Sequence, residues 1–406
     1  MDYEIVIPNN LADINSINVE THVLKPFDSL VISFIGEISK ILLSKSNIKP
    51  YPELISLGFW MRKSNIEKLK DNFLNSTKNK ILLGRGVVFH LAPSNVDTIF
   101  VYSLVLSLLS GNSNILRISS KTSEQTDILI EIINDILKSD IYEVLRKRII
   151  IVRYGHDDNI TQKLSLMADV RVIWGGDDTV KHIRTIPIKS TAIELTFADK
   201  FSFAMIKSAS FLKEKEKSKL INNFYNDAYW FDQMACSSIK MIIWIGDTKE
   251  NELSKNIFWN ELSNLIKAKK DIKISGADII NKLVAEFSMS IENNDIKIQK
   301  FDNEYINVIS LNSMDDVNEN LHCGSGLFYE FESDNIFEIF KSSKKKNQTI
   351  AQYGFTRLEI ENAIYSVLPE GVDRVVSIGN SLNFSGIWDG YDLLKSFCRE
   401  IDIDFK

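Results

Sequence analysis

Gly86-Val-Val-Phe-His-Leu-Ala-Pro-Ser-Asn95 decides how this chain is read. Gly86–Ala92 is a compact strand signal, and Pro93-Ser94-Asn95 breaks it. The spacing predicts a helix next, with Ser94 as N-cap and Asp97 three residues on, as in a capping box. Phe100, Val101, Leu104, Val105 and Leu108 recur at helical intervals, and Gly111-Asn112 ends the run.

The same alternation continues outward. Strands are expected at Asn114–Ile118, Arg148–Arg153, Asp169–Trp174, Thr191–Leu195 and Phe201–Ile206. Helices are expected between the earlier ones, at Ser123–Leu137, Asn159–Met167 and Thr179–Ile183. Such alternation predicts a parallel, doubly wound sheet with helices on both faces. Ligands of these sheets bind beyond the carboxyl ends of the strands. The turns that matter are therefore Pro93-Ser94-Asn95, Arg117–Lys121 and Gly175-Gly176-Asp177. No G-x-G-x-x-G follows the first strand, so the conventional dinucleotide fingerprint is absent.

Residues 1–83 show helical spacing at Leu30–Leu43 and Leu54–Lys70 and carry no motif, which reads as packing and subunit contact. Beyond residue 208 a helix is expected over 213–230, then the strand Lys240–Ile245 and a helix at Asn251–Lys267. Mixed elements follow to Ile309, then the strand Leu327–Phe331, a helix near Asn335–Phe340 and a strand-like Arg374–Ile378.

With 406 residues, 44% of them hydrophobic, the chain exceeds one ordinary core, and two domains are the natural expectation. A net charge of −6 and a pI near 5.6 argue against nucleic acid or an anionic membrane as partner. Three scattered cysteines fit no disulfide framework, and the five histidines lack zinc-ligand spacing. The acidic Met1-Asp-Tyr-Glu4 is unlike a signal peptide, and Ile99–Leu109 is too short to span a bilayer. The expectation is a soluble cytoplasmic protein.

The chemistry centres on Asn226–Ser238, which places Cys236 between Ala235 and two serines at a helix-to-strand turn. Backbone N–H groups of such a turn can stabilise a thiolate or an oxyanion. A free cysteine is also commonly a small buried hydrophobe. Tyr229, Trp230 and Phe231 could wall a substrate channel or simply fill the core. Cys323 and Cys398 are read as structural.

Pro93-Ser94-Asn95, Ser110-Gly-Asn-Ser-Asn-Ile-Leu-Arg117, Glu194 and Ala235-Cys236-Ser237-Ser238 together resemble the aldehyde dehydrogenase superfamily. Gly371–Gly379 and Trp388–Tyr391 narrow the likeness to its acyl-CoA reductase branch, which includes the fatty acid reductase of bacterial bioluminescence. The resemblance covers about Gly84 to Tyr391. It implies two doubly wound α/β domains, cofactor and catalytic, with an oligomerisation arm. Residues 1–83 would pack on the cofactor domain, 84–208 bind the dinucleotide, and 209–365 carry the thiol. Residues 366–406 would return to the cofactor domain or a subunit interface.

By the same resemblance Cys236 is the nucleophile, and the Asn95 amide with a backbone N–H at the cysteine holds the oxyanion. Asn95 alone would read as a helix-capping turn residue. Glu194 matches the general base, but Thr196-Phe197-Ala198 replaces the following Gly-Gly, and a salt-bridged structural carboxylate is the competing reading. Pro93, Ser94, Arg117, Ser119, Ser120, Lys121, Gly175 and Gly176 match the cofactor turns. Ser119-Ser120-Lys121 stand where NAD users carry an acid, so NADPH is expected over NADH.

The implied reaction is NADPH-dependent reduction of a fatty acyl-CoA, or another acyl thioester, to the aldehyde. An acyl-protein synthetase partner and a homo-oligomer are further implications. Three alternatives stay open: an NADP-dependent aldehyde dehydrogenase, a non-redox acyl-accepting subunit, and an interaction protein without turnover.

Overall fold

The computed structural model describes residues 3–8, 13–93, 96–269, 274–293 and 295–404. The chain forms two compact units, Met1–Asp199 with Asn383–Lys406, and Lys200–Leu382.

The strands of the first unit are β1 (Tyr3–Ile7), β2 (Ile81–Gly84), β3 (Val87–Leu91), β4 (Ser113–Ile118), β5 (Ile149–Tyr154), β6 (Val170–Trp174) and β7 (Ile193–Phe197). Six of them make a sheet in the order β1-β5-β4-β3-β6-β7. β1 is antiparallel to β5, and the remaining pairs are parallel. The chain winds from β3 outward to β5 and returns on the other side of β3 as β6, so strand order reverses there. A ligand crevice forms at the carboxyl ends of strands at such a reversal. β3 and β6 are buried at every residue, as apolar strands covered on both faces must be.

The helix Ile99–Leu109 is buried along its whole length, which fits a helix that is apolar all round. Its start corrects the expected capping box. Thr98 holds the N-cap position, and the Asp97 carboxylate accepts from the Ser123 and Thr126 hydroxyls at 2.6 and 3.1 Å. The expected N-cap Ser94 lies outside the described residues. The span Leu54–Lys70 divides into Pro52–Trp60 and Lys63–Ser76. Gly58 is needed in the former because a Cβ there would sit 3.0 Å from Leu42 Cβ on the helix Ser29–Ser44. At the far end of the chain, Cys398–Ile401 pairs antiparallel with β2.

The second unit holds β8 (Phe201–Lys207), β9 (Ile239–Ile245), β10 (Lys297–Lys300), β11 (Asn307–Ser310), β12 (Leu327–Ser333), β13 (Asn347–Tyr353) and β14 (Arg374–Ser377). Their order is β10-β11-β12-β9-β8-β13-β14, with β10 antiparallel to β11 and the rest parallel. Alternate residues feed two cores. Phe203, Met205, Met241 and Ile243 meet Ala285, Met289, Phe340 and Ile360 on one face. Ala204, Ile206, Ile242 and Trp244 meet Phe224, Phe258, Trp259 and Leu262 on the other.

The strand Phe201–Ile206, expected to finish the first series, is thus a middle strand of the second sheet. Its side chains are apolar on both faces, and a middle strand is what buries both.

Candidate active site

Cys236 lies in the turn between the helix Lys217–Tyr229 and β9. Asp232 and Gln233 take positive φ of 48° and 60°, which bends the chain off the helix end. The Gln233 side chain then clamps the bend. Its Nε2 donates to the Ile239 and Leu327 carbonyls at 3.1 and 2.9 Å, and its Oε1 accepts from the Gly326 N–H at 2.8 Å. Leu327 and Ile239 begin neighbouring strands, so the turn is fixed to the amino-terminal edge of the sheet.

At that edge the Ser202 hydroxyl donates to the Cys236 carbonyl at 2.7 Å and accepts the Thr349 N–H at 3.1 Å. Gln348 Nε2 donates to Cys236 Sγ at 3.4 Å, while Gln348 Oε1 accepts from the Thr349 hydroxyl at 3.2 Å. Ser202 is the second residue of β8 and Gln348 the second of β13, so the amino ends of β8, β9 and β13 converge on one half-buried thiol. Sequence reasoning missed Gln348 and Ser202. Asn347-Gln348-Thr349 is a polar run without strand periodicity, and it carries no signal of its own.

The other two thiols sit differently. Burial pushes Cys323 and Cys398 up to about 11, and Cys398 is packed against the Ser110 carbonyl. His322, beside Cys323, accepts the Gly324 N–H at Nδ1 and faces the Leu327 carbonyl with Nε2, which places its proton on Nε2. Burial pulls this imidazole down to about 3, so it is neutral. Tyr229, an expected channel residue, is buried and stacked on Tyr225, and its hydroxyl donates to the Tyr305 carbonyl at 3.0 Å. It belongs to the core, whereas Trp230 and Phe231 remain half-buried.

In the first unit a cavity of about 420 Å³ opens beyond the carboxyl ends of β3, β4, β5 and β6. Pro93, Arg117, Ser119, Ser120, Lys121, Gly175 and Gly176 all line it. Ser94 and Asn95 lie outside the described residues. Arg117 is tied to the carbonyls of Ala92 and Gly155 at 3.4 and 3.1 Å, and burial lowers its pKa. The Ser119 hydroxyl accepts the Lys121 N–H, and the Lys121 side chain is exposed at the lip.

Two carboxylates also reach this wall. Asp157 caps the helix Asp158–Met167, and Asp158 contacts the His182 ring at 2.9 Å. Gly175 and Gly176 have a local reason to lack side chains, since a Cβ would sit 3.0 Å from Thr179 or from the Asp199 carboxylate.

The Trp174 indole closes the crevice floor at the end of β6. It stacks on Phe197 at 3.9 Å, and its N–H donates to Ser103 Oγ at 3.1 Å. Ser103 reaches His90 Nδ1 at 2.7 Å, and His90 Nε2 reaches Asn114 Oδ1 at 3.0 Å. Every member of this buried chain finds a partner when Nε2 carries the His90 proton.

Glu194 lies elsewhere. It is the second residue of β7, opposite Arg171 near the amino end of β6, whereas the cavity opens at the carboxyl ends. Its Oε2 accepts from Arg171 Nε at 2.7 Å, and its Oε1 accepts from Arg184 Nε at 3.0 Å. Among the described residues no group of three His, Cys, Asp or Glu could hold a metal ion, and no helix is long and apolar enough to cross a membrane.

Comparison with known proteins adds an independent line. The model of a family described as acyl-CoA reductase (LuxC) matches residues 67–400. Long-chain acyl-protein thioester reductase 2 of Photobacterium leiognathi is 28% identical over 196 residues, 48% of this chain and 38% of that protein. The long-chain acyl-protein thioester reductase of Aliivibrio fischeri is 28% identical over 178 residues, 43% and 35% of the two lengths. The matched stretches therefore span well under half of these relatives. Among solved structures, a lactaldehyde dehydrogenase superposes with a TM-score of 0.64 at 12% identity, covering 91% of this chain and 85% of that one. Aldehyde dehydrogenase 21 from Physcomitrella patens gives 0.63 at 11%, covering 92% and 83%. At such identity the likeness speaks for the fold.

Proposed function

The chain belongs to the acyl-CoA reductase (LuxC) family, within the aldehyde dehydrogenase superfamily, and from that premise we propose that it reduces long-chain acyl thioesters to aldehydes through an acyl-enzyme on Cys236. The observation that carries this reading is the setting of Cys236, which is half-buried at the amino ends of β8, β9 and β13 and receives an amide N–H at its sulfur.

In the proposed reaction the Cys236 thiolate attacks the thioester carbonyl carbon. The bond to the donor sulfur breaks, and the departing thiolate takes up a proton. The Asn95 amide and the Cys236 backbone N–H are assigned to the oxyanion, the kind of donor whose loss costs about 3 kcal/mol. A reduced nicotinamide dinucleotide supplies hydride when bound. Collapse of the resulting thiohemiacetal returns the C–S electron pair to Cys236 and frees the aldehyde.

Pro93, Arg117, Ser119, Ser120, Lys121, Gly175 and Gly176 would hold the dinucleotide, and the cavity they line is of a size to seat part of it. NADPH is preferred over NADH in this reading. The Lys121 side chain is exposed in the β4 turn, and Asp157 and Asp158 are committed to a helix start and to His182. The acyl donor is proposed to be fatty acyl-CoA or an acylated protein, the latter in keeping with the relatives' names. Against the oxidative alternative stands Glu194, whose oxygens are engaged by Arg171 and Arg184, because a general base must offer its lone pair to water.

Intact mass spectrometry after incubation with acyl-CoA of graded chain length, with wild type and Cys236→Ala, tests the proposal. A single acyl adduct that NADPH discharges as aldehyde is expected in the wild type alone. An adduct of equal yield in Cys236→Ala would sink it.

A further inference from the structure

We infer that Gln348 is a positioning residue for the nucleophile, its side-chain N–H stabilising the Cys236 thiolate both when it attacks and when it is expelled. The inference rests on the reading of Cys236 as the acylated residue.

The geometry fixes which end of the amide meets sulfur. Gln348 is 3% exposed, and the Thr349 hydroxyl donates to Oε1 at 3.2 Å, so the acceptor end is spoken for and the donor end turns to Sγ at 3.4 Å. Thr349 is itself held, because its N–H donates to Ser202 Oγ at 3.1 Å, and that hydroxyl also anchors the Cys236 carbonyl at 2.7 Å. One short stretch of β13 thereby grips the cysteine at its sulfur and, through Ser202, at its carbonyl.

A fixed N–H beside sulfur favours the charged form over the neutral thiol, since hydrogen bonds to ionised groups are roughly twice as strong as neutral ones. The same contact assists release of the aldehyde, where the C–S bond breaks and sulfur regains its electron pair. Charged groups along this edge have partners of their own. Lys200 pairs with Asp373 at 3.1 Å, and Lys240 donates to the Lys200 carbonyl at 3.1 Å. Lys346 faces Glu319 at 4.0 Å, and Asp232 accepts from the Ser325 hydroxyl at 3.0 Å. The contact that Gln348 makes with the sulfur is a neutral dipole held in place.

The test is the pH profile of iodoacetamide alkylation at Cys236 in the full-length chain, read by peptide mass, for wild type, Gln348→Met and Thr349→Val. Gln348→Met keeps the volume and removes the N–H. It is expected to slow alkylation at pH 7 about tenfold, with the midpoint moved to higher pH and the high-pH plateau unchanged. Thr349→Val removes the hydroxyl that orients the amide and is expected to shift the midpoint in the same direction by less. Buried Cys398 reports folding, since it alkylates once the chain opens. If Gln348→Met exposes Cys398, Thr349→Val carries the decision. A midpoint equal to wild type in the folded variants overturns the inference.

Acyl loading of wild type, run in parallel, separates the two readings. Wild type that takes no acyl group at Cys236 defeats the proposed reaction. Wild type that loads, with unchanged alkylation profiles in the variants, defeats the role of Gln348 alone.

Discussion

Glu194 on β7 and Arg171 on β6 face each other across one parallel ladder as an ion pair in which Arg171 is 2% exposed. Arg171 also donates to the Ile186 carbonyl at 2.8 Å, so this carboxylate compensates a charge buried under the sheet. Removing one partner of such a pair strands the other. Glu194→Gln is expected to lower the free energy of unfolding by about 3 kcal/mol in urea titration, while acyl loading of Cys236 persists. Wild-type stability with loss of turnover would instead mark Glu194 as a chemical group.

Cofactor preference is expected to reside at the lip of the crevice. Lys121 is the exposed cation of the β4 turn. Lys121→Ala should reduce kcat/KM for NADPH about tenfold and leave that for NADH within about twofold, since a phosphate contact of this kind is worth roughly one factor of ten. Equal losses with both cofactors would remove the assignment.

Two buried imidazoles and one buried carboxylate set opposing pH responses. Burial pulls His90 down to about 4 and His322 down to about 3. Both are depressed below the unfolded value, so the stability they contribute is full above about pH 6.5 and is lost as pH falls through their folded values.

Asp227 runs the other way. Burial lifts it to about 6, although it accepts the Gly379 and Ser381 N–H groups at 2.6 and 3.1 Å. Its contribution is full below about pH 4 and is lost as pH rises through about 6, a swing of roughly 3 kcal/mol at 1.4 kcal/mol per unit. Thermal melts from pH 8 to pH 4 should therefore show Asp227→Asn losing more stability on acidification than wild type. Parallel curves would refute the assignment.

The network under the crevice floor makes a further prediction. Ser103→Ala leaves the Trp174 N–H and His90 Nδ1 without the hydroxyl that joins them. The expected cost is about 2 kcal/mol, accompanied by changed Trp174 fluorescence. Unchanged emission in Ser103→Ala, set beside a Trp174→Phe reference, would show that the indole does not depend on this contact.

The part of the first unit from β3 onward was legible because its apolar strand runs end in turn signals and alternate with 3.6-residue patterns, whereas β1 and β2 fell in a stretch read only for helices. His90 and Arg171 barely disturb that reading, since their polarity is satisfied internally. The second unit hid more. The helix Gly276–Glu292 buries Lys282 and Glu286 beside Ala285 and Met289 while exposing Ile280, Val284, Phe287 and Ile291, which blurs the usual amphipathic pattern. β13 opens on three buried polar residues, Asn347, Gln348 and Thr349, and so reads as loop. Cys236 could be singled out from its turn and the resemblance. Gln348 stands 112 positions later in the chain, and only the parallel pairing of β13 with β8 brings it to the sulfur.

Ser202 and Gln348, which hold the cysteine at its carbonyl and its sulfur, stand where their strands begin. The opposite rim, where Ile245 and Tyr353 end their strands, carries none of these contacts. A fluorophore, an affinity handle or a surface graft belongs on that rim, where engineering of the molecule can proceed without touching the sulfur's surroundings.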